Sequence, residues 1–275
     1  WKELNEYAWL RTQVQLPDEK ETVMLFNFGL PGNLHQTGFE GMLFVNGHPL
    51  QGLDSNHEEV LVPDKYQGKK VQLDIKLWTG MYGRHGDTSK PIIHEFNYAD
   101  IARLDHSTDN LYLSMRNMID TVDILPEDSP NRYEMQNILD QATKLLDWQE
   151  PGSVDFYRSI EQANTLVENY LNHAIKNTPV TVTALGHTHI DLAWLWQIKH
   201  TREKAARSFS TVLKMMDKYP EYVFLHTTPQ LYAYLKEDYP EIFEEIKKRV
   251  AEGRWEVDGA MWVEADCNIP SGESL

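Results

Sequence analysis

The chain has a single cysteine, Cys267, in 275 residues, so no internal disulfide can form. No Asn-x-Ser or Asn-x-Thr acceptor occurs. Both absences suit a cytoplasmic protein. Positive charge is scarce: 26 Lys and Arg against 42 Asp and Glu leave a formal net charge of -16. That balance argues against nucleic acid and against an anionic membrane as partners. No apolar run approaches the ~18 residues of a membrane-spanning helix. Position 1 is Trp rather than Met, with no charged-then-apolar leader behind it. The closing stretch IPSGESL is polar and carries no final helix or strand. The chain reads as a piece of a longer protein.

What is present is material for cores. Hydrophobic residues make up 41% and aromatics 11%, against wholesale disorder, and the length suits two domains or three small ones. Residues 1–105 read as a β-rich accessory domain of sandwich-like type. TVMLFNF, Gly41–Asn46 and VQLDIKLW are strand candidates rich in Val, Leu and aromatics. Asn46-Gly47 is a hairpin signal, because both residues tolerate positive φ. Thr79–Lys90 has a loop composition.

Residues 106–177 read as a helical linker, a bridge of amphipathic helices. Apolar residues recur at helical spacing in three runs: Leu111, Met115, Met118, Ile119, Val122; Met135, Ile138, Leu139, Ala142, Leu145, Leu146; and Phe156, Ile160, Ala163, Leu166, Val167, Tyr170, Leu171. Pro126, Pro130 and Pro151-Gly152 separate them.

Residues 178–275 alternate strand and helix. VTVTALG, YVFLHT and RWEVDGAMWV are the strands. TREKAARSFSTVLKMMDKY is a helix with Ala206, Phe209, Leu213 and Met216 inward and with Lys204 and Arg207 toward water. Pro229–Lys236 and Pro240–Ala251 are two more, the latter starting at proline and stopping before Gly253. This order predicts a parallel sheet with right-handed crossovers, an incomplete β/α barrel-like α/β portion. Chemistry in such folds collects at the carboxyl ends of strands.

There stands GHTHIDLAWLW, 186–196. Alternate side chains of an extended backbone point the same way, so His189 and Asp191 can grip one cation. Imidazole nitrogen and carboxylate oxygen suit Zn²⁺ or a similar divalent ion. Asp266, after the third strand in WVEADCN, is expected at the same edge of the sheet. Three ligands from two strand ends, with positions left open, fit a catalytic rather than a structural metal. Each residue also has a plainer reading. A strand-end His can simply bond a loop. Trp194, Trp196 and Trp262 can be core residues, or platforms for the flat face of a sugar. Glu264 can be a second carboxylate or a solvated one. Cys267 reads as a small packed residue.

GHTHIDLAWLW, with TPQLYAYLKEDYPEIFEEIKKRVAEGRWEVDGAMWVEADCNIPSGESL after it, resembles the amino-terminal part of α-mannosidases of glycoside hydrolase family 38, of the bacterial and vacuolar or cytosolic type. FEGMLFVNGHPLQGLDSNHEEVLV is similar to the β-rich domain ahead of their catalytic domain. The resemblance implies His189 and Asp191 as zinc ligands. It implies Asp266 as catalytic nucleophile and further metal contact, and Trp194 as the residue stacked on mannose. It leaves His187 a supporting or structural role and Trp196 a core one. The family's remaining His ligand and its acid/base Asp fall beyond Leu275, so this length alone is expected to be inactive and to bind metal weakly. The implied partner is a mannose-containing oligosaccharide. Family members are often homo-oligomers, but no feature here marks an interface. Two other readings stay open. In a metal-dependent amidohydrolase, His187 and His189 would be the ligand pair and the metal would activate water. In a non-catalytic carbohydrate-binding module, Gln51, Gly52, Leu53, Asp54 and His57 would be the polar candidates, although they suit ordering a loop better.

Overall fold

The computed structural model describes residues 3–29, 39–81, 93–174, 180–259 and 261–263. The chain divides into two compact units. One joins Trp1–Ala102 with Thr183–Leu275, and the other is Arg103–Val182.

Among the described residues, the first unit begins with seven strands: β1 (Tyr7–Gln15), β2 (Thr22–Asn27), β3 (Glu40–Val45), β4 (His48–Asp54), β5 (Glu59–Leu61), β6 (Lys70–Trp78) and β7 (Tyr98–Arg103). They form two sheets, in the orders β1-β6-β3-β4 and β5-β2-β7. Period-two burial explains the layering. Val71, Leu73, Ile75 and Leu77 of β6 enter one core with Leu43 and Val45 of β3 and with Met24 and Phe26 of β2. The Asn46-Gly47 turn has φ of 52° and 84°, and Val45 pairs with His48 across it. Positive φ at both corner residues matches the twist of the hairpin.

Asp54 orders the next corner. Its Oδ1 accepts the amides of Asn56 at 2.7 Å and His57 at 3.0 Å and meets His57 Nδ1 at 3.0 Å. The bond to Asp54 raises the His57 pKa above its ordinary 6.5, against the effect of burial. Burial pushes Asp54 up, but the bond and charge of His57 outweigh it and leave Asp54 below its ordinary 3.8. The contribution of His57 is therefore complete below pH 6.5 and lost as pH rises through its raised value, while that of Asp54 is lost as pH falls below 3.8. Urea midpoints at about pH 5.5 and about pH 8 should fall further for the wild type than for His57→Gln, whose amide cannot titrate. An equal fall in both would rule this out.

The remainder of this unit runs β8 (Gly186–His187), α4 (Ile198–Lys218), β9 (Phe224–Leu225), α5 (Pro229–Asp238), α6 (Pro240–Ala251) and β10 (Trp255–Glu256). The three strands are parallel, in the order β10-β9-β8. Proline opens α5 and α6, and Gly253 follows α6 at φ 71°. Ala206, Phe209, Leu213 and Met216 of α4 are buried against this sheet with Phe224, Leu231 and Trp255.

Three expectations are corrected here. In VTVTALG only Gly186 joins the ladder, and residues 180–185 are irregular and exposed, since only Gly186 and His187 pair with β9. The third strand stops at Glu256 rather than running to Val263, because β9 offers it only two partners. Arg207 does not face water. It is buried and ion-paired with Glu40 of β3, which is also buried, and Lys204 stands 3.8 Å from the same carboxylate. The cause is a second buried face on α4, which lies on the sandwich. Gly52 of β4 permits the approach, since a Cβ there would be 2.6 Å from the Arg207 carbonyl oxygen.

The second unit, taken by itself, has α1 (His106–Ile124), α2 (Pro130–Leu145) and α3 (Val154–His173) around Leu111, Met118, Ala142, Ile160, Ala163 and Val167. Asp105 caps α1 through the Thr108 amide at 2.9 Å, and Ser153 caps α3 through Phe156 at 3.1 Å. Arg132 of α2 donates to the Val122 and Leu125 carbonyls at 2.6 and 2.7 Å, closing the end of α1. Ile119 and Leu145, expected inward, are exposed, because each sits at the margin of its apolar stripe.

Candidate functional site

The parallel pairing of β8 with β9 leaves the HTHID segment at the carboxyl edge of the sheet. His187 and His189 are exposed, and Ile190 between His189 and Asp191 is buried in the core, which turns its neighbours outward. His189 Nε2 and Asp191 Oδ1 stand 3.1 Å apart. His187 is engaged elsewhere. Its Nδ1 donates to the Leu225 carbonyl at 2.9 Å, and its ring stacks on His226 at 5.7 Å. Among the described residues no group of three or more His, Cys, Asp or Glu side chains is placed to hold a metal ion. Asp266, the third expected ligand and expected nucleophile, lies outside the described residues, as do Glu264 and Cys267.

Trp194 is 52% exposed, and its ring meets Trp196 edge-on, with centroids 5.5 Å apart. Trp196 is half-buried and its indole N–H donates to Thr201 Oγ1 at 2.9 Å. Trp262 is exposed and tied to the start of α5. Its indole N–H donates to Gln230 Oε1 at 2.7 Å, and its carbonyl accepts the Gln230 amide at 3.1 Å.

Two residues that sequence reasoning passed over shape this edge. His226 follows β9 and is buried. Burial, and then the charges His187 and His189 would carry, push its pKa down to about 4, so its ring is neutral at neutral pH. It bonds the Thr188 backbone and accepts the Thr228 amide at 3.4 Å, and Tyr232 Oη donates to its carbonyl at 2.6 Å. Its position at the end of YVFLHT was the one signal available. The other is Thr201, in the first turn of α4, fully buried against the loop 191–196. Nothing in sequence spacing marks it. A cleft of about 290 Å³ opens beside His187, walled by Asn56 and His57 of the sandwich and by Lys204 and Tyr222.

The edge therefore offers an imidazole, a carboxylate and an exposed indole within six residues. Residues 179–275 match the family model described as "Glycosyl hydrolases family 38 N-terminal domain". Through that segment the chain is similar to glycosyl hydrolase family 38. Its similarity to curated proteins extends into the sandwich and the helical unit. The chain is 29% identical to "Alpha-mannosidase G" of Dictyostelium discoideum, over 97% of this chain and 25% of that protein. It is 32% identical to "Alpha-mannosidase" of Saccharomyces cerevisiae, over 79% of this chain and 21% of that protein. With "Alpha-mannosidase 2C1" of Homo sapiens the identity is 26%, over 86% and 23%. The chain thus spans about a quarter of the length of the relatives it matches. Among the described residues, no helix is long and apolar enough to cross a membrane.

Proposed function

We propose that the protein of which this chain is part hydrolyses terminal α-linked mannose from oligosaccharides, with retention of configuration and with a divalent metal, Zn²⁺ first. The observation that carries the reading is the His189–Asp191 pair at a parallel-sheet carboxyl edge, inside the segment matched to family 38. The names of the relatives support the substrate class. Imidazole nitrogen and carboxylate oxygen 3.1 Å apart on the surface suit a borderline divalent ion. His189, Asp191 and Asp266 would hold it. When bound, such an ion supplies Lewis acidity toward sugar hydroxyls.

The other roles belong to side chains. Trp194 lays an exposed indole beneath the apolar face of the mannose. The Asp266 carboxylate attacks the anomeric carbon as the glycosidic bond breaks. An acid/base carboxyl gives its proton to the leaving oxygen and then takes one from water, which releases mannose and frees Asp266. In retaining enzymes such carboxyls stand roughly 5–5.5 Å apart. The larger architecture is part of the reading: the three parallel strands begin a barrel-like sheet, the sandwich is its accessory domain and the helical unit a bridge. The exposed Leu185 just before β8 supports a sheet that continues there. The single cysteine supports a cytoplasmic setting.

The test uses the full-length protein. Wild type should carry bound divalent metal and release mannose from an aryl α-mannoside, and His189→Ala should lose both. Asp266→Ala should abolish covalent labelling by a fluorinated mannosyl fluoride. Equal metal content in wild type and His189→Ala would sink the proposal.

A further inference from the structure

We propose that Thr201 is a positioning residue: one buried hydroxyl fixes the loop 191–196 and so sets the metal-ligand Asp191 and the sugar platform Trp194 in register. The inference rests on the metal and platform roles proposed above. Thr201 Oγ1 donates to the Asp191 carbonyl at 3.0 Å. It accepts the Ala193 amide at 3.1 Å and the Trp196 indole N–H at 2.9 Å. A hydroxyl has one donor and two acceptor sites, so all three are used. The three partners bracket the segment between the ligand and the platform.

Inside that bracket Ala193 has φ 81°, in the left-handed region that a side-chain-bearing residue adopts only when its surroundings hold it there. The bond to its amide is one such restraint. The chain bends from Leu192 to Trp196. Trp194, next in sequence, lies edge-on against Trp196, whose own indole is tethered to the same hydroxyl. Holding the Asp191 carbonyl restrains the backbone from which its carboxylate is aimed.

The anchor is itself supported. Thr201 is preceded by His200, which accepts the Gln197 amide at Nδ1 over 3.1 Å and donates from Nε2 to Asn5 Oδ1 over 2.8 Å. The His200 ring stacks on Trp78 of β6 with centroids 4.6 Å apart. The sandwich thus steadies the first turn of α4, and Thr201 passes that rigidity to the loop. Thr201→Val keeps the shape but leaves two N–H groups and a carbonyl without their partner. Thr201→Ser keeps the hydroxyl.

The experiment titrates Zn²⁺ alone against the full-length protein by competition with a fluorescent chelator, for wild type, Thr201→Val, Thr201→Ser and His189→Ala. Steady-state kinetics on an aryl α-mannoside run in parallel. Thr201→Val should bind Zn²⁺ about 10- to 100-fold more weakly, the usual cost of losing a residue that orients a ligand. Its KM should rise as Trp194 loses its setting, and Thr201→Ser should return both toward wild type. A merely structural threonine would lower thermal stability and leave Zn²⁺ affinity per folded molecule unchanged. If His189→Ala binds Zn²⁺ like wild type, the metal reading falls and this inference with it. If His189→Ala loses Zn²⁺ while Thr201→Val binds normally, or if Ser fails to restore what Val loses, this inference alone is overturned. Should Thr201→Val not fold, Trp196→Phe removes one of the three bonds and should weaken Zn²⁺ binding a few-fold, with wild-type affinity overturning the inference.

Discussion

Arg207→Met should destabilise the unit that joins the sandwich and the parallel sheet by about 3 to 5 kcal/mol, the cost of stranding a buried charge. Glu40 and Arg207 are both buried, and each is the other's charged partner at the junction of β3 and α4. Lys204, 3.8 Å from Glu40, is too distant to replace a hydrogen-bonded guanidinium. Removing both charges should cost much less than removing one, because the Coulombic gain of a buried pair largely offsets its desolvation. Glu40→Leu/Arg207→Met should therefore recover most of the loss. Urea denaturation of wild type, single and double variants measures this. A single variant within about 1 kcal/mol of wild type, below the range for a broken buried pair, would refute it.

Phe209→Ala should cost about 3 to 5 kcal/mol, the range for emptying a buried aromatic site. Phe209 is fully buried in α4 and touches Phe224 of β9, His226, Tyr232 of α5 and Trp255 of β10, with ring centroids 4.9 to 6.1 Å apart. One ring thus joins a helix to two of the three parallel strands and to the histidine beneath HTHID. Truncation opens a cavity that these rings cannot all close, and it frees His226 from one wall. Phe209→Leu keeps much of the volume and should cost clearly less. Thermal and urea unfolding report the loss, and near-UV circular dichroism should show the aromatic cluster loosened. A penalty under about 1 kcal/mol, or equal penalties for Ala and Leu, would contradict this account of the core.

Legibility followed the range of the interaction. Pro229, Pro240 and Gly253 marked helix ends because each acts through its own backbone torsions and missing or permitted contacts. Asn46-Gly47 marked its hairpin for the same reason, and Ala206, Phe209, Leu213 and Met216 announced the inward face of α4 by spacing alone. β1 was not singled out, since YAWLRTQVQ is exposed on much of its length and shows no clean alternation. The strand expected at VTVTALG was composed correctly, but a strand exists only where a neighbour pairs with it, and pairing reaches only Gly186 and His187. Arg207 looked like a surface residue because its partner lies 167 positions earlier.

The sequence by itself determined the residue types of the candidate site and their order, together with the helices, the hairpin turn and the alternation of strand and helix. These depend on neighbours a few positions away, where spacing is geometry. The tertiary structure alone decided that the sandwich buries a second face of α4, that His226 lies neutral under HTHID, and that Thr201 braces Ala193 in a left-handed turn between Asp191 and Trp194. Those outcomes require elements distant in the chain to meet in specific registers. Hydrophobic pattern says that a face must be covered, while shape, charge and hydrogen-bond partners decide what covers it.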